Sequence, residues 1–222
     1  MTIEFVEYPD REMLALSLAN RIAGQLGQHL RMNDRASLCV PGGSTPAPLF
    51  NTLSGSDIDW ARVTVFAGDE RWVDDGHKRS NSRMLRRHLL RDRAVAARYI
   101  DLYTGDPDPA DAVTVLSERI AGELPITVLL LGMGHDMHTA SIFPGRPETE
   151  AALASGAPAV LAVGGDEPRV TLSAEALKTA IWRHLMIAGA EKREALERAQ
   201  KLSPAEAPIK AFLNDITVHW AE

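Results

Sequence analysis

The sequence predicts an α/β fold built on a mainly parallel sheet, and three observations carry that prediction. Short, continuous apolar runs recur along the chain, as fits strands covered on both faces. Longer amphipathic stretches at helical spacing separate them. The strongest apolar runs end in polar, glycine-containing segments: PGGSTP at Pro41–Pro46, GDERW at Gly68–Trp72 and GMGHDMHTASIFPG at Gly132–Gly145. Strands and helices alternating in this way imply right-handed crossovers that put helices on both faces of the sheet.

Each element follows from a local pattern. Ile3–Val6 reads as a strand. From Asp10 to Leu30, Leu14, Leu18, Ile22, Leu26 and Leu30 fall at every fourth position, a buried stripe on a long helix capped by Asp10. Ser37–Val40 and Val63–Ala67 are short buried strands, and the ITVLLL run at Ile126–Leu131 is the strongest. Helical stretches are expected at Ser82–Leu90, Asp111–Glu123 and Glu191–Gln200, with further strands at Val160–Val163, Val170–Leu172, His184–Ala188 and Ile216–Trp220. No internal repeat is visible. Thr104–Asp111 is rich in turn residues but too short for a domain linker. The expectation is therefore one domain over residues 1–222.

Composition bounds the function. The chain has 222 residues, with 24 Lys plus Arg against 30 Asp plus Glu, a net charge of −6 that argues against a general nucleic-acid binder. A domain of this length buries about 70% of its unfolded surface and needs no staple or metal for stability. The single cysteine, Cys39, cannot form an internal disulfide, which fits a reducing, cytoplasmic setting. The first thirty residues lack a signal-peptide pattern, and no apolar run approaches the roughly 18 residues of a membrane span.

In open α/β sheets, ligands bind beyond the carboxyl ends of the strands, where the three polar segments fall. In PGGSTP, Gly42 and Gly43 allow a tight turn and close backbone approach, Ser44 and Thr45 supply hydroxyls, and Pro46 suits a helix start. Strand, glycine turn and helix N-terminus together make an anion site, most often for phosphate. Read alone, the segment is equally an ordinary strand-to-helix turn. In the second segment, Asp69, Glu70 and Arg71 follow a strand; adjacent side chains point oppositely, so one faces the cleft and the other a structural partner. Alone, these residues also read as an exposed strand end with a local ion pair.

The third segment places Asp136 and His138 on the same side of an extended loop. There a carboxylate can orient an imidazole and set its tautomer. His135 projects oppositely. No cysteine lies nearby and there is no HExxH, so no metal site is expected. Arg169 before a strand and Lys192 near a helix start each read singly as surface charges, but a phosphate site gives them a joint purpose. From Lys78 to Arg98 there are eight Lys/Arg against one acid, with Arg79, Arg83, Arg87 and Arg91 in one i+4 stripe. This reads as a solvated helix face that steers an anionic substrate, since interleaved aromatics are missing.

Together, PGGSTP, GDERWV followed by Ser80–Asn81, LGMGHDMHTASIFPG, RVTLS and GAEK resemble the 6-phosphogluconolactonase family of the glucosamine-6-phosphate isomerase/6-phosphogluconolactonase superfamily. The motifs keep the family's order and spacing from Pro41 to Lys192. The resemblance implies a single Rossmann-like α/β domain and hydrolysis of 6-phosphoglucono-δ-lactone to 6-phosphogluconate, in the oxidative pentose phosphate route, with no cofactor. It implies that His138 is the general base that activates water, that Asp136 orients it, and that Arg71 lies near the lactone or its developing negative charge. It further implies that Gly42, Gly43, Ser44 and Thr45, with Arg169 and Lys192, hold the 6-phosphate, while Asp69 and Asn81 line the pocket. The expected partner is a small sugar-phosphate lactone, with no nucleic acid or membrane, for a monomer or small homo-oligomer.

The family usually has glycine where Met137 stands. If that position needs φ > 0, methionine strains the loop; otherwise Met137 narrows the pocket. Two rivals share the residues. In glucosamine-6-phosphate isomerases a glutamate follows the histidine by five residues, where this chain has Phe143, which cannot share proton transfer. The second is a catalytically silent sugar-phosphate binder: regulators of this fold carry a DNA-binding domain, for which a strand beginning at Ile3 leaves no room, but an unattached binder stays open, with Met137 as its best argument.

Overall fold

The computed structural model describes residues 3–222. The first strand, β1 (Ile3–Glu7), leads into the long helix α1 (Arg11–Leu30), where the Asp10 carboxylate accepts a hydrogen bond from Met13 N at 2.7 Å. All five residues of the stripe from Leu14 to Leu30 are buried. Strand β2 (Ala36–Val40) is buried throughout and carries Cys39 with a free thiol. Helix α2 (Ala47–Ser54) follows the PGGSTP turn, with Pro46 at its N-cap. Strand β3 (Val63–Ala67) is likewise buried throughout.

The chain then departs from the expected pattern. Asp69–Arg71 is itself a strand, β4, set in a second sheet. Helix α3 (Asn81–His88) starts one residue before the expected helix, because Ser80 caps it by accepting from Arg83 N at 3.1 Å. Arg79 and Arg91 therefore lie outside the helix and the four-arginine stripe is not one face. Acids also pair with two of its members, Arg79 with Glu167 and Arg91 with Asp92, and with their neighbours in the basic segment, Arg86 with Asp75 and Asp101 and Arg93 with Asp57.

Strand β5 (Arg98–Ile100) precedes helix α4 (Pro109–Ala121), which begins two residues before the expected start. Asp108 caps it by accepting from Ala110 N at 2.8 Å, and Pro109 at the first position already has a helical φ. Strand β6 (Val128–Leu131) is shorter than its apolar run, since Thr127 N and Oγ1 are taken by hydrogen bonds with Ser37. There follow α5 (Pro147–Leu153), β7 (Val160–Val163), β8 (Arg169–Leu172), α6 (Ala174–Lys178), β9 (Trp182–Ala188), α7 (Ala190–Ala199) and β10 (Ile216–Ala221).

The main sheet has seven parallel strands in the order β1-β10-β9-β6-β2-β3-β5. From β2 the chain builds outward through β3 to β5, then returns to β6 and builds the other way through β9 to β10. The direction of winding thus reverses between β2 and β6, and that switch point is where such sheets open a crevice at their carboxyl ends. Right-handed crossovers place α1–α3 on one face and α4–α7 on the other. The second sheet, β4-β8-β7, is antiparallel and stands beside the crevice. One continuous apolar core includes residues of both sheets.

Candidate active site

A cavity of about 900 Å³ opens at the switch point. It is walled by the turn after β2, the loop after β6, the start of α7 after β9, and β4 with β8 at one side. Gly42, Gly43, Ser44, Thr45, Asp69, Arg71, Asn81, His138, Arg169 and Lys192 all line it. Asp136 does not; it stands behind His138.

The loop after β6 is the most constrained part. His138 Nδ1 lies 2.5 Å from Asp136 Oδ1, which also accepts from His138 N at 3.2 Å. Gly134 N donates to His138 O at 2.9 Å and Met137 N to Gly134 O at 3.1 Å. The loop is therefore a closed turn rather than an extended segment, and Asp136 meets His138 because the chain curls, not because alternate side chains share a side. Met137 is the residue that turns it, with φ +66°. A left-handed conformation costs a non-glycine residue about 1–2 kcal/mol. Met137 does not line the cavity; it packs against the core, and its carbonyl accepts from Ile209 N at 3.1 Å. Of the two roles considered for Met137, strain is the one observed.

Gly134 makes room for this pair. A Cβ there would fall 2.1 Å from His138 Nδ1 and 2.5 Å from Asp136 Oδ1. Burial alone raises the Asp136 carboxyl, but the charge and hydrogen bonds of His138 outweigh it and hold the group below the usual carboxylate range. The carboxylate thus stays ionised, and Nδ1 is occupied. Nε2 is the ring nitrogen left for chemistry. His135, by contrast, is exposed and faces Glu191 at 3.6 Å.

The second sheet supplies cations. Arg71 on β4 is the register partner of Arg169 on β8, and like charges directly opposite each other are unfavourable without an anion between or beside them. Burial, then Arg71, lowers the pKa of Arg169, opposed by Glu167 and Asp69. Arg71 Nη1 donates to Asn81 Oδ1 at 2.6 Å and to Arg79 O at 3.1 Å, while its buried Nε has no partner. Asn81 in turn donates from Nδ2 to Asp69 O at 2.8 Å. Gly42 packs against that amide so closely that a Cβ would sit 1.9 Å from Asn81 Oδ1. Asp69 Oδ2 accepts from Ser141 Oγ at 2.6 Å.

Asp69 and Glu70 divide as their alternation requires. Asp69 lines the cavity, whereas Glu70 is buried and takes hydrogen bonds from Arg71 N, Asn81 N, Ser82 N and Ser80 Oγ at the start of α3. Desolvation dominates its environment and raises its pKa to about 6.

The anion loop is more open. Gly43 has φ +86°, and Ser44 and Thr45 are exposed. Lys192, in the first turn of α7, donates to Met133 O at 2.6 Å; burial lowers its pKa against the opposing charges of Asp136 and Glu191. Arg11 at the start of α1 also lines the cavity and was not singled out from the sequence, although it follows a strand end like the others. Phe143, singled out from the sequence only as the residue that cannot share proton transfer, touches the site through its ring, whose centroid lies 4.6 Å from that of His138. Among the described residues, no group of three or more His, Cys, Asp or Glu is placed to hold a metal ion. None of the described helices is long and apolar enough to cross a membrane.

The profile of the family described as glucosamine-6-phosphate isomerases/6-phosphogluconolactonase matches residues 9–220. The chain belongs to the glucosamine-6-phosphate isomerase/6-phosphogluconolactonase family. Within this family it is 38% identical to a 6-phosphogluconolactonase of Rhizobium meliloti (strain 1021), covering 94% of both chains. It is 35% identical to one from Pseudomonas putida, covering 96% of this chain and 91% of the relative. The crystal structure of a 6-phosphogluconolactonase from Shewanella baltica OS155 superposes with TM-score 0.95 at 33% identity, covering 100% of this chain and 98% of the other. A monomeric glucosamine-6-phosphate deaminase shares the fold, with TM-score 0.81 at 15% identity, covering 99% of this chain and 97% of the other.

Proposed function

We propose that the chain is a 6-phosphogluconolactonase, hydrolysing 6-phospho-D-glucono-1,5-lactone to 6-phospho-D-gluconate. The observation that carries this reading is the pairing of His138 with Asp136 at 2.5 Å on the wall of a cavity that also gathers Arg71, Arg169 and Lys192. An oriented imidazole and several cations suit a neutral ester carbonyl on a molecule that also bears a phosphate.

His138 Nε2 takes a proton from water as the water oxygen bonds to the lactone carbonyl carbon. Asp136 holds the ring through Nδ1 and keeps the proton there. Arg71, anchored by Asn81, faces the oxyanion of the tetrahedral intermediate. The carbon–ring oxygen bond then breaks, the ring oxygen takes the proton held on Nε2 and becomes the new hydroxyl, and the acid formed releases its remaining proton to solvent, leaving a carboxylate and a neutral His138. Gly42, Gly43, Ser44 and Thr45, with Arg169 and Lys192, bind the 6-phosphate and so fix the ring against the base. Asp69 and Asn81 hold the arginines in place. Such lactones also open without a catalyst, so this machinery suffices without a covalent intermediate.

The phosphate specifies a small soluble substrate, and the net charge of −6 with a charge-paired basic segment favours no nucleic-acid partner. The test is lactone hydrolysis, with substrate generated in situ, measured above the spontaneous rate. His138→Ala is expected to lower kcat/KM by about 10²–10⁴-fold. A wild-type rate equal to the spontaneous one refutes the reading.

A further inference from the structure

The hydrogen bond from His138 Nδ1 to the Asp136 carboxylate, with the Cβ–Cγ bond, holds one edge of the imidazole but leaves its faces unsupported. The aim of Nε2 is then only as firm as that one hydrogen bond unless something packs against the ring itself. Phe143 does: the two ring centroids are 4.6 Å apart with planes at 45°. The same phenyl ring lies 5.2 Å from the Arg169 guanidinium carbon and 5.0 Å from that of Arg146. Both separations fall within the roughly 6 Å over which a cation is attracted to an aromatic face.

Arg146 ties this cluster to the second sheet by donating from Nη1 to Gly164 O at 3.0 Å, at the end of β7. Arg169, meanwhile, is the cation whose cross-strand neighbour is another arginine. Without a counter-surface it would be pushed away from Arg71, and the π face of Phe143 supplies one alongside Glu167 and Asp69.

We propose that Phe143 is a positioning residue, an aromatic plate that sets the His138 ring plane and the Arg169 guanidinium together, so that the base and the substrate-binding cation keep a fixed relation. The proposal rests on the lactonase reading of the cavity. Phe143 does not itself line the cavity, so its effect is transmitted through the two groups it touches. Leucine matches the apolar bulk at this half-buried position but has no π face and no flat surface.

The experiment compares wild type, Phe143→Leu and Phe143→Tyr in lactone hydrolysis, with thermal unfolding of each. Phe143→Leu is expected to lower kcat by roughly 10- to 100-fold, the size of effect that a displacement near 1 Å brings, with a smaller rise in KM. Phe143→Tyr, which keeps the ring, is expected to restore kcat to within about threefold of wild type on the same argument. A leucine variant with wild-type kcat overturns the proposal, as does a tyrosine variant as impaired as the leucine one. Should the leucine variant fail to fold, Phe143→Met carries the same expectation. A wild-type enzyme without activity instead refutes the lactonase reading itself, so the two failures are distinct.

Discussion

Two histidine pairings in this molecule start from the same side chain and end in opposite chemistry. His138 sits at the cavity with a carboxylate on Nδ1. His184 on β9 and His219 on β10 lie inside the sheet, with His184 Nδ1 3.0 Å from His219 Nε2. Their outer nitrogens meet Gln25 Oε1 at 2.8 Å and Tyr8 OH at 2.8 Å. One proton arrangement satisfies every partner: Tyr8 donates to His219, His219 to His184, and His184 to Gln25. Both imidazoles are neutral in it, and an added proton would force Tyr8 to give up its role as donor. Burial, reinforced for His184 by Arg21 and for His219 by His184, pushes the pKa values down to about 4 and about 3. The sheet pair is thus closed to proton transfer at neutral pH, whereas the cavity histidine keeps Nε2 free beside an ionised carboxylate. Histidine chemistry here is set by what faces the second nitrogen.

The largest expected effect breaks the cavity pair from beneath. In Gly134→Ala the new methyl collides with both His138 Nδ1 and Asp136 Oδ1, and kcat/KM is expected to fall by about 100-fold. Full activity in that variant would show that the close approach is irrelevant.

The buried pair sharpens the contrast through pH. An unfolded histidine takes up a proton near pH 6.5, but the folded ones resist until about 4 and 3. Stability is therefore fully present above pH 6.5 and is lost as the pH falls from there toward the folded values. Glu70, raised to about 6, works in the opposite sense between its unfolded value of 4.5 and 6, because the folded state holds the proton more tightly. Comparing wild type with the double variant His184→Gln/His219→Gln cancels that contribution. Between pH 7 and pH 4, wild type is expected to lose a few kcal/mol more unfolding free energy than the variant, measured by denaturant titration. Equal losses would mean that the pair does not stay neutral.

The smallest effect is at Met137. Glycine there relieves the left-handed φ but gives up packing against the core and adds freedom to the unfolded chain. Met137→Gly is expected to change unfolding free energy by no more than about 1 kcal/mol and to keep activity. A large loss of activity would mean that the methionine side chain serves the site.

What the sequence revealed and what it hid follow a physical division. Asp10 and the Leu14–Leu30 stripe were legible because a cap and a 3.6-residue period are local signals. Most candidate site residues were legible because they follow strands, whereas Arg169 opens one and Asn81 came only with the family resemblance; all but Asp136 line one cavity. Strand β4 was not legible: Asp69–Arg71 is three charged residues, and only pairing with β8 makes it a strand. That pairing also sets Arg71 against Arg169, a relation between residues 98 positions apart that no spacing rule reveals. Asp136 and His138 were rightly paired, but the extended loop assumed for them is a curled one, because its geometry depends on the backbone of Met137. Phe143 was read only as the residue standing where the isomerases have a glutamate; its contact with His138 exists only once that loop has curled.

The most direct measurement is the rate of 6-phosphoglucono-δ-lactone hydrolysis at pH 7 for wild type, His138→Ala and His219→Gln, each against the spontaneous reaction. The expected result is a wild-type rate well above background, a His138→Ala rate near background, and a His219→Gln rate close to wild type with a lower unfolding temperature. A wild type no faster than background, or a His219→Gln variant as impaired as His138→Ala, would contradict it.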